Sequence, residues 1–261
     1  MLTTDHALGA PVWVDLATPD VEAAAAFYGA LFGWEFEAAG PRAPGRGVFR
    51  LGGRAVAGVG PLTEEGTGSA WTLSFRCADV EATAEAVVRA GGAVRGAPSG
   101  ADGARRAAGF TDPGHARFAV RESGRAELLG AVDVPGALWW TQLYTTDVET
   151  SKRFYGAVLG WELEDVVLER GAAYTVVSPH GGGMAAAQGG IMQLPPEAAS
   201  AGISPGWHPY FAVEDCDAAV AAAVGHGATS ALPAESSKGI GRQATLRDPF
   251  RALFSVNSAT A

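Results

Sequence analysis

One pattern is written four times along this chain, and it limits the possible folds more than any single residue does. Asp20-Val21-Glu22, Asp79-Val80-Glu81, Asp147-Val148-Glu149 and Asp215-Cys216-Asp217 each open a run that closes at Gly33, Gly91, Gly160 or Gly227, twelve or thirteen residues after the Asp. An Asp at a helix start accepts the free N–H groups of the first turn, and an acid just inside suits the positive end of the helix dipole. The Gly supplies a left-handed stop. A strand-like run precedes each Asp and extended segments follow each Gly, so each unit reads as βαβββ. Repeats of this kind settle architecture first.

A second level of repetition lies above the first. Trp13–Glu35 aligns with Trp140–Glu162 at an offset of 127, with thirteen of 23 positions identical, among them Asp20/Asp147, Phe27-Tyr28/Phe154-Tyr155 and Gly33-Trp34-Glu35/Gly160-Trp161-Glu162. Further along, at an offset of 136, Trp71, Phe75, Asp79, Gly91, Asp112-Pro113 and Phe118 meet Trp207, Phe211, Asp215, Gly227, Asp248-Pro249 and Phe254. The chain is two homologous halves, expected at 10–122 and 139–258 with a linker at 123–138. Short strands with helices on one face make this an α+β architecture.

Alternation along the first strand of each unit separates two faces. Val14/Leu16, Leu73/Phe75, Thr141/Leu143 and Pro209/Phe211 form the face expected under the helices. Trp13/Asp15/Ala17, Thr72/Ser74/Arg76, Trp140/Gln142/Tyr144 and His208/Tyr210/Ala212 form the other. That second face is aromatic and polar together, which suits the wall of a ligand cavity better than a core. Trp13 and Trp140 read as stacking surfaces, with plain packing as the alternative. Trp71 and Trp207 read as cavity rims, Trp34 and Trp161 as structural. Asp15 needs a donor; Arg76 is a candidate, equally well as a structural ion pair. His208 is the candidate catalytic residue, because its imidazole titrates near neutral pH, although a lone strand His is commonly structural.

Composition removes several classes of function. A net charge of −9 and the lack of basic clusters argue against a nucleic-acid surface. No apolar run reaches membrane-spanning length, and a cytoplasmic location is expected. Cys77 and Cys216 show no disulfide framework or metal spacing and read as buried thiols.

The paired βαβββ units, the strand–Asp-Val-Glu–Phe-Tyr–Gly-Trp signature and the late Asp-Pro turn resemble the vicinal oxygen chelate superfamily of glyoxalases, bleomycin-resistance proteins and extradiol dioxygenases, most of all its tandem actinobacterial glyoxalase-like type. The resemblance covers nearly the whole chain. It implies two tandem domains, each of two βαβββ units forming a cup-shaped mixed sheet with helices outside. Family metal sites draw a His from the first strand, seven residues before the helix-opening Asp, and a Glu seven residues after the Asp of the Asp-Pro turn. Here those slots hold Trp13, Thr72, Trp140, His208, Ala119 and Ser255, of which only His208 is a ligand type. A catalytic metal needs about three protein ligands, so the resemblance implies neither a metal nor another cofactor.

The expected function is metal-free binding of a planar or aromatic metabolite or antibiotic, in resistance or secondary metabolism. Trp13, Asp15, Thr72, Ser74, Arg76, Trp140, Gln142, Tyr144, His208 and Tyr210 would line the cups. The alternative is a metal-independent isomerase, cyclase or oxygenase using His208, and a third reading is a metal-dependent lyase or dioxygenase with an irregular ligand set. The expected partner is a small molecule, with no nucleic acid or membrane, and the protein itself a monomer or homodimer.

Overall fold

A computed structural model describes residues 2–41, 43–62, 68–99, 106–122, 127–168 and 171–259. The βαβββ unit occurs four times. The first has β1 (Pro11–Thr18), α1 (Val21–Phe32), β2 (Glu35–Ala38), β3 (Gly47–Leu51) and β4 (Arg54–Pro61). The second has β5 (Ala70–Cys77), α2 (Val80–Arg89), β6 (Ala93–Ser99), β7 (Ala107–Thr111) and β8 (Arg117–Glu122). The third has β9 (Leu138–Thr145), α3 (Val148–Leu159), β10 (Glu162–Val167), β11 (Ala173–Ser178) and β12 (Gly189–Gln193). A short helix, α4 (Pro196–Ser200), not expected from the sequence, precedes the fourth: β13 (Gly206–Ala212), α5 (Cys216–Gly225), β14 (Thr229–Ser237), β15 (Gly241–Arg247) and β16 (Leu253–Ser258).

The four acidic caps work as their spacing predicts. Asp20, Asp79, Asp147 and Asp215 accept from the backbone N–H three residues on, at 3.0, 2.8, 2.9 and 3.0 Å. All four stop glycines have positive φ, from 67° to 94°, a conformation that costs Gly little. Gly33 and Gly160 cap α1 and α3 directly, whereas α2 and α5 end with Ala90 and His226 as caps and turn one residue later. The hairpin between β3 and β4 turns at Gly52 and Gly53, both at positive φ, as a two-residue turn of the primed type requires.

In each unit the first strand pairs in parallel with the last, β1 with β4, β5 with β8, β9 with β12 and β13 with β16. Parallel neighbours need a crossover, which the helix and the intervening hairpin provide. The two sheets are eight-stranded and mixed, ordered β2-β3-β4-β1-β5-β8-β7-β6 and β10-β11-β12-β9-β13-β16-β15-β14.

Packing divides the chain into two compact units that each draw on three stretches of sequence. One comprises Met1–Val12, Leu73–Glu127 and Trp140–Trp207; the other comprises Trp13–Thr72, Leu128–Trp139 and His208–Ala261. In the second, Tyr28 on α1 donates to the buried carboxylate of Asp248 at 3.0 Å and accepts from the Trp71 indole at 3.2 Å. In the first, Tyr155 on α3 donates to Asp112 at 3.1 Å and accepts from Trp207 at 2.7 Å. Asp112 and Asp248 also accept backbone N–H groups of their own turns, from Ala116 and Ala252. Burial nevertheless pushes both carboxyls above their ordinary range.

Around each Tyr the rings interlock: Phe27, Phe32, Trp34, Trp71 and Phe254 about Tyr28, and Phe118, Phe154, Trp161 and Trp207 about Tyr155. Trp71 and Trp207 are therefore core residues, not cavity rims. Trp71 shares strand parity with Leu73 and Phe75, the apolar face. Trp34 and Trp161 are structural as expected; each indole donates at 2.7 Å to a glycine carbonyl, Gly136 or Gly9. Cys77 and Cys216 are buried free thiols, and burial holds Cys77 up at about 11.

Candidate functional site

The polar face of β9 carries the most developed arrangement. The Trp140 indole N–H donates to the Tyr174 hydroxyl at 2.8 Å, and that hydroxyl donates to the Gln142 carbonyl oxygen at 2.7 Å. The Gln142 amide nitrogen faces two backbone carbonyls, Leu143 at 3.0 Å and Gly190 at 3.3 Å. Gly190 lies opposite Gln142 across the parallel β9–β12 pair. A Cβ there would sit 2.0 Å from the Tyr174 hydroxyl oxygen, so this relay requires glycine. Gln142 is 4% exposed, Tyr144 is buried, and Trp140 is only half-buried. The expected site lacked Tyr174. It lies on β11, outside the first-strand residues considered.

Unit one holds a shorter version. Trp13 Nε1 donates to Asp15 at 2.9 Å. Gly58 lies opposite Asp15 across the β1–β4 pair, and a Cβ there would meet the Asp15 oxygen at 2.2 Å and the Trp13 nitrogen at 2.8 Å. Gly58 and Gly190 occupy the same place in the two halves. Trp13, however, is 3% exposed, so its ring offers much less open surface than that of Trp140.

The remaining candidates are more scattered. Ser74 is buried and accepts from Arg121 Nε at 3.3 Å. Arg76 is half-buried, its Nε buried without a hydrogen-bond partner, and it borders a small cavity with Leu8, Thr83 and Val158. Thr72 is half-buried on β5. His208 and Tyr210 are both buried on β13, with Ser255 opposite Tyr210 and bonded through its hydroxyl to Thr245 at 2.9 Å.

Of the family's six ligand slots only His208 carries a ligand type, short of the three or so that a catalytic metal needs. Trp13 and Trp140 present indole N–H groups already committed as donors, and an indole nitrogen has no lone pair for an ion. Ala119 has no donor atom, and the Ser255 hydroxyl is engaged with Thr245. Among the described residues, Asp79, Glu81 and Glu122 bring three carboxylates close together. Arg106 pairs with both Glu81 and Glu122, and Glu122 accepts the Val80 N–H at 2.7 Å. That cluster is the capped start of α2, with one guanidinium and backbone N–H groups already engaging its carboxylates.

The sequence profile of the glyoxalase/bleomycin resistance protein/dioxygenase superfamily matches residues 8–120, and that of a glyoxalase-like domain matches residues 140–257. A relative in Streptomyces sp. (strain C5), the anthracycline biosynthesis protein DauV, is 36% identical over 97% of this chain and 94% of its own length. The chain belongs to the glyoxalase/bleomycin resistance protein/dioxygenase superfamily. Another superfamily relative, named "Putative glyoxylase CFP32", from Mycobacterium tuberculosis (strain CDC 1551 / Oshkosh), is 35% identical over 97% of this chain and 96% of its own. The Mn(II)-bound glyoxalase from Novosphingobium aromaticivorans shares the superfamily fold at TM-score 0.63 and 16% identity, over 97% of this chain and 83% of that one. No helix among the described residues is long and apolar enough to cross a membrane.

Proposed function

We propose that this superfamily member is a small-molecule-binding protein of secondary metabolism, which holds a planar aromatic metabolite against Trp140 without a bound metal. The observation that carries the reading is the Trp140–Tyr174–Gln142 relay over Gly190. It fixes an indole by its polar edge while leaving the residue only half-buried, whereas Trp34, Trp71, Trp161 and Trp207 are buried in aromatic cores. A fixed aromatic face loses little freedom on binding and favours flat partners. Kinship with a protein named for anthracycline biosynthesis supports the metabolic setting. The non-ligating slot residues support the metal-free part of the reading. No role is assigned to His208 or Tyr210.

Titration with planar aromatic compounds should quench tryptophan fluorescence. Trp140→Ala should weaken binding by the lost contact area plus roughly 0.5–1.5 kcal/mol for stacking, while Trp13→Ala should have the smaller effect. Elemental analysis of the dialysed protein should find far less than one transition metal per chain. Unchanged affinity in Trp140→Ala, or a tightly held ion whose removal abolishes binding, would sink the proposal.

A further inference from the structure

The direction of every hydrogen bond in the Trp140 relay is fixed by chemistry. An indole N–H only donates, so the Tyr174 oxygen must accept from it. The Tyr174 proton then needs an acceptor, which places the Gln142 carbonyl oxygen toward Tyr174 and its amide nitrogen toward the Leu143 and Gly190 carbonyls. The indole has spent its one donor, the phenol its one donor, and the amide both of its donors. What this polar edge offers a ligand is acceptor capacity alone. The Trp13–Asp15 pair in the other half has the same polarity: the indole donor is spent on a carboxylate, which has only acceptors.

We infer that the aromatic ligand of the Trp140 site carries hydrogen-bond donors, as a hydroxylated ring system does, and that Tyr174 and Gln142 select it by turning an indole donor into an acceptor edge. This inference rests on the aromatic-binding reading above and adds the substrate class to it. An ether or ketone oxygen brought to the same edge meets lone pairs and must shed water without replacement.

The test compares 2,6-naphthalenediol with its dimethyl ether, 2,6-dimethoxynaphthalene, by fluorescence or calorimetric titration of the whole chain. In the wild type the diol should bind about tenfold more tightly, the scale of one matched against one unmatched buried hydrogen bond. Tyr174→Phe returns the Trp140 N–H to the site as a donor. Gln142→Met removes the acceptor that holds the Tyr174 proton. In both variants the preference should fall to within about twofold of parity, against a tenfold starting point. Two independent substitutions, each checked by its unfolding curve, guard against a variant that simply fails to fold.

Equal binding of the two probes by the wild type would overturn the inference and leave the aromatic-binding reading intact. The same holds for a preference that persists in both variants, or one that disappears only in Tyr144→Phe. If neither probe binds at all, both the inference and the aromatic-binding reading fall.

Discussion

At Gly190 a single methyl group decides whether the Trp140 relay can exist. The added carbon of Gly190→Ala falls 2.0 Å from the Tyr174 oxygen, so the ring must leave and both of its hydrogen bonds go with it. We expect a loss of about 1–3 kcal/mol of stability, the usual scale for forcing a group into packed space. Aromatic binding should weaken in the same variant, measured by urea denaturation and fluorescence titration side by side. Wild-type affinity there would show that the relay does not shape the site. The polar face of β9 was legible in the sequence because strand alternation marks it: Trp140, Gln142 and Tyr144 fall together. Tyr174 was not, because its partner sits 32 residues away on a strand whose register no local pattern announces. One signal was present: a glycine in the last strand of the first unit of each half, Gly58 and Gly190. Alternation applied consistently would also have kept Trp71 out of the rim, since it is in step with Leu73 and Phe75.

The helices were the most legible elements, since four Asp–Gly frames agree and both ends of each frame have a local cause. One cap, Asp147, and the two buried turn carboxyls respond to acid in opposite senses. The exposed Asp147 carboxylate accepts from the Thr150 N–H and hydroxyl, which lowers its folded pKa below the ordinary 3.8. A lowered folded value means a contribution present above the unfolded pKa and lost as pH falls through the folded one. Asn caps a helix nearly as well as Asp, so Asp147→Asn isolates the charge. Thermal melts should show wild type above the variant at neutral pH, with the gap closing as pH falls below 3.8. A gap that is constant with pH would show that the charge is irrelevant. Asp112 and Asp248 run the other way. Their folded values are raised, so their contribution is greatest below 3.8 and declines as pH rises through the raised values. Among the described residues the α-helix missed, α4, is five residues long, too short to show a hydrophobic period.

Across the whole molecule, the sequence showed four βαβββ units in two homologous halves but not which unit packs with which. Nothing in the spacing of Phe27-Tyr28 or Asp248-Pro249 says that they meet across 220 residues. The paired hydroxyl bonds make this testable. Tyr155→Phe and Tyr28→Phe each remove a donor to a buried carboxyl and an acceptor for a buried indole, and each should cost about 1–3 kcal/mol on chemical denaturation. A neutral result for both would mean that these bonds do not hold the units. Each compact unit also takes residues from both halves. A chain of residues 1–128 should therefore show no cooperative melt as a monomer, and mixing with residues 129–261 should restore one. A sharp melt from monomeric 1–128 alone would refute this. The same interleaving fixes a schedule on the ribosome. Tyr155 finds Asp112 already made, and the unit around it is fully synthesised once Trp207 has emerged. Tyr28, emerging early, waits for Asp248, roughly 10–40 s at ordinary synthesis rates, with Phe27, Phe32 and Trp34 uncovered beside it. A transcript cut short after Trp207 would thus release a chain with one unit fully synthesised and the aromatic surface of the other still exposed.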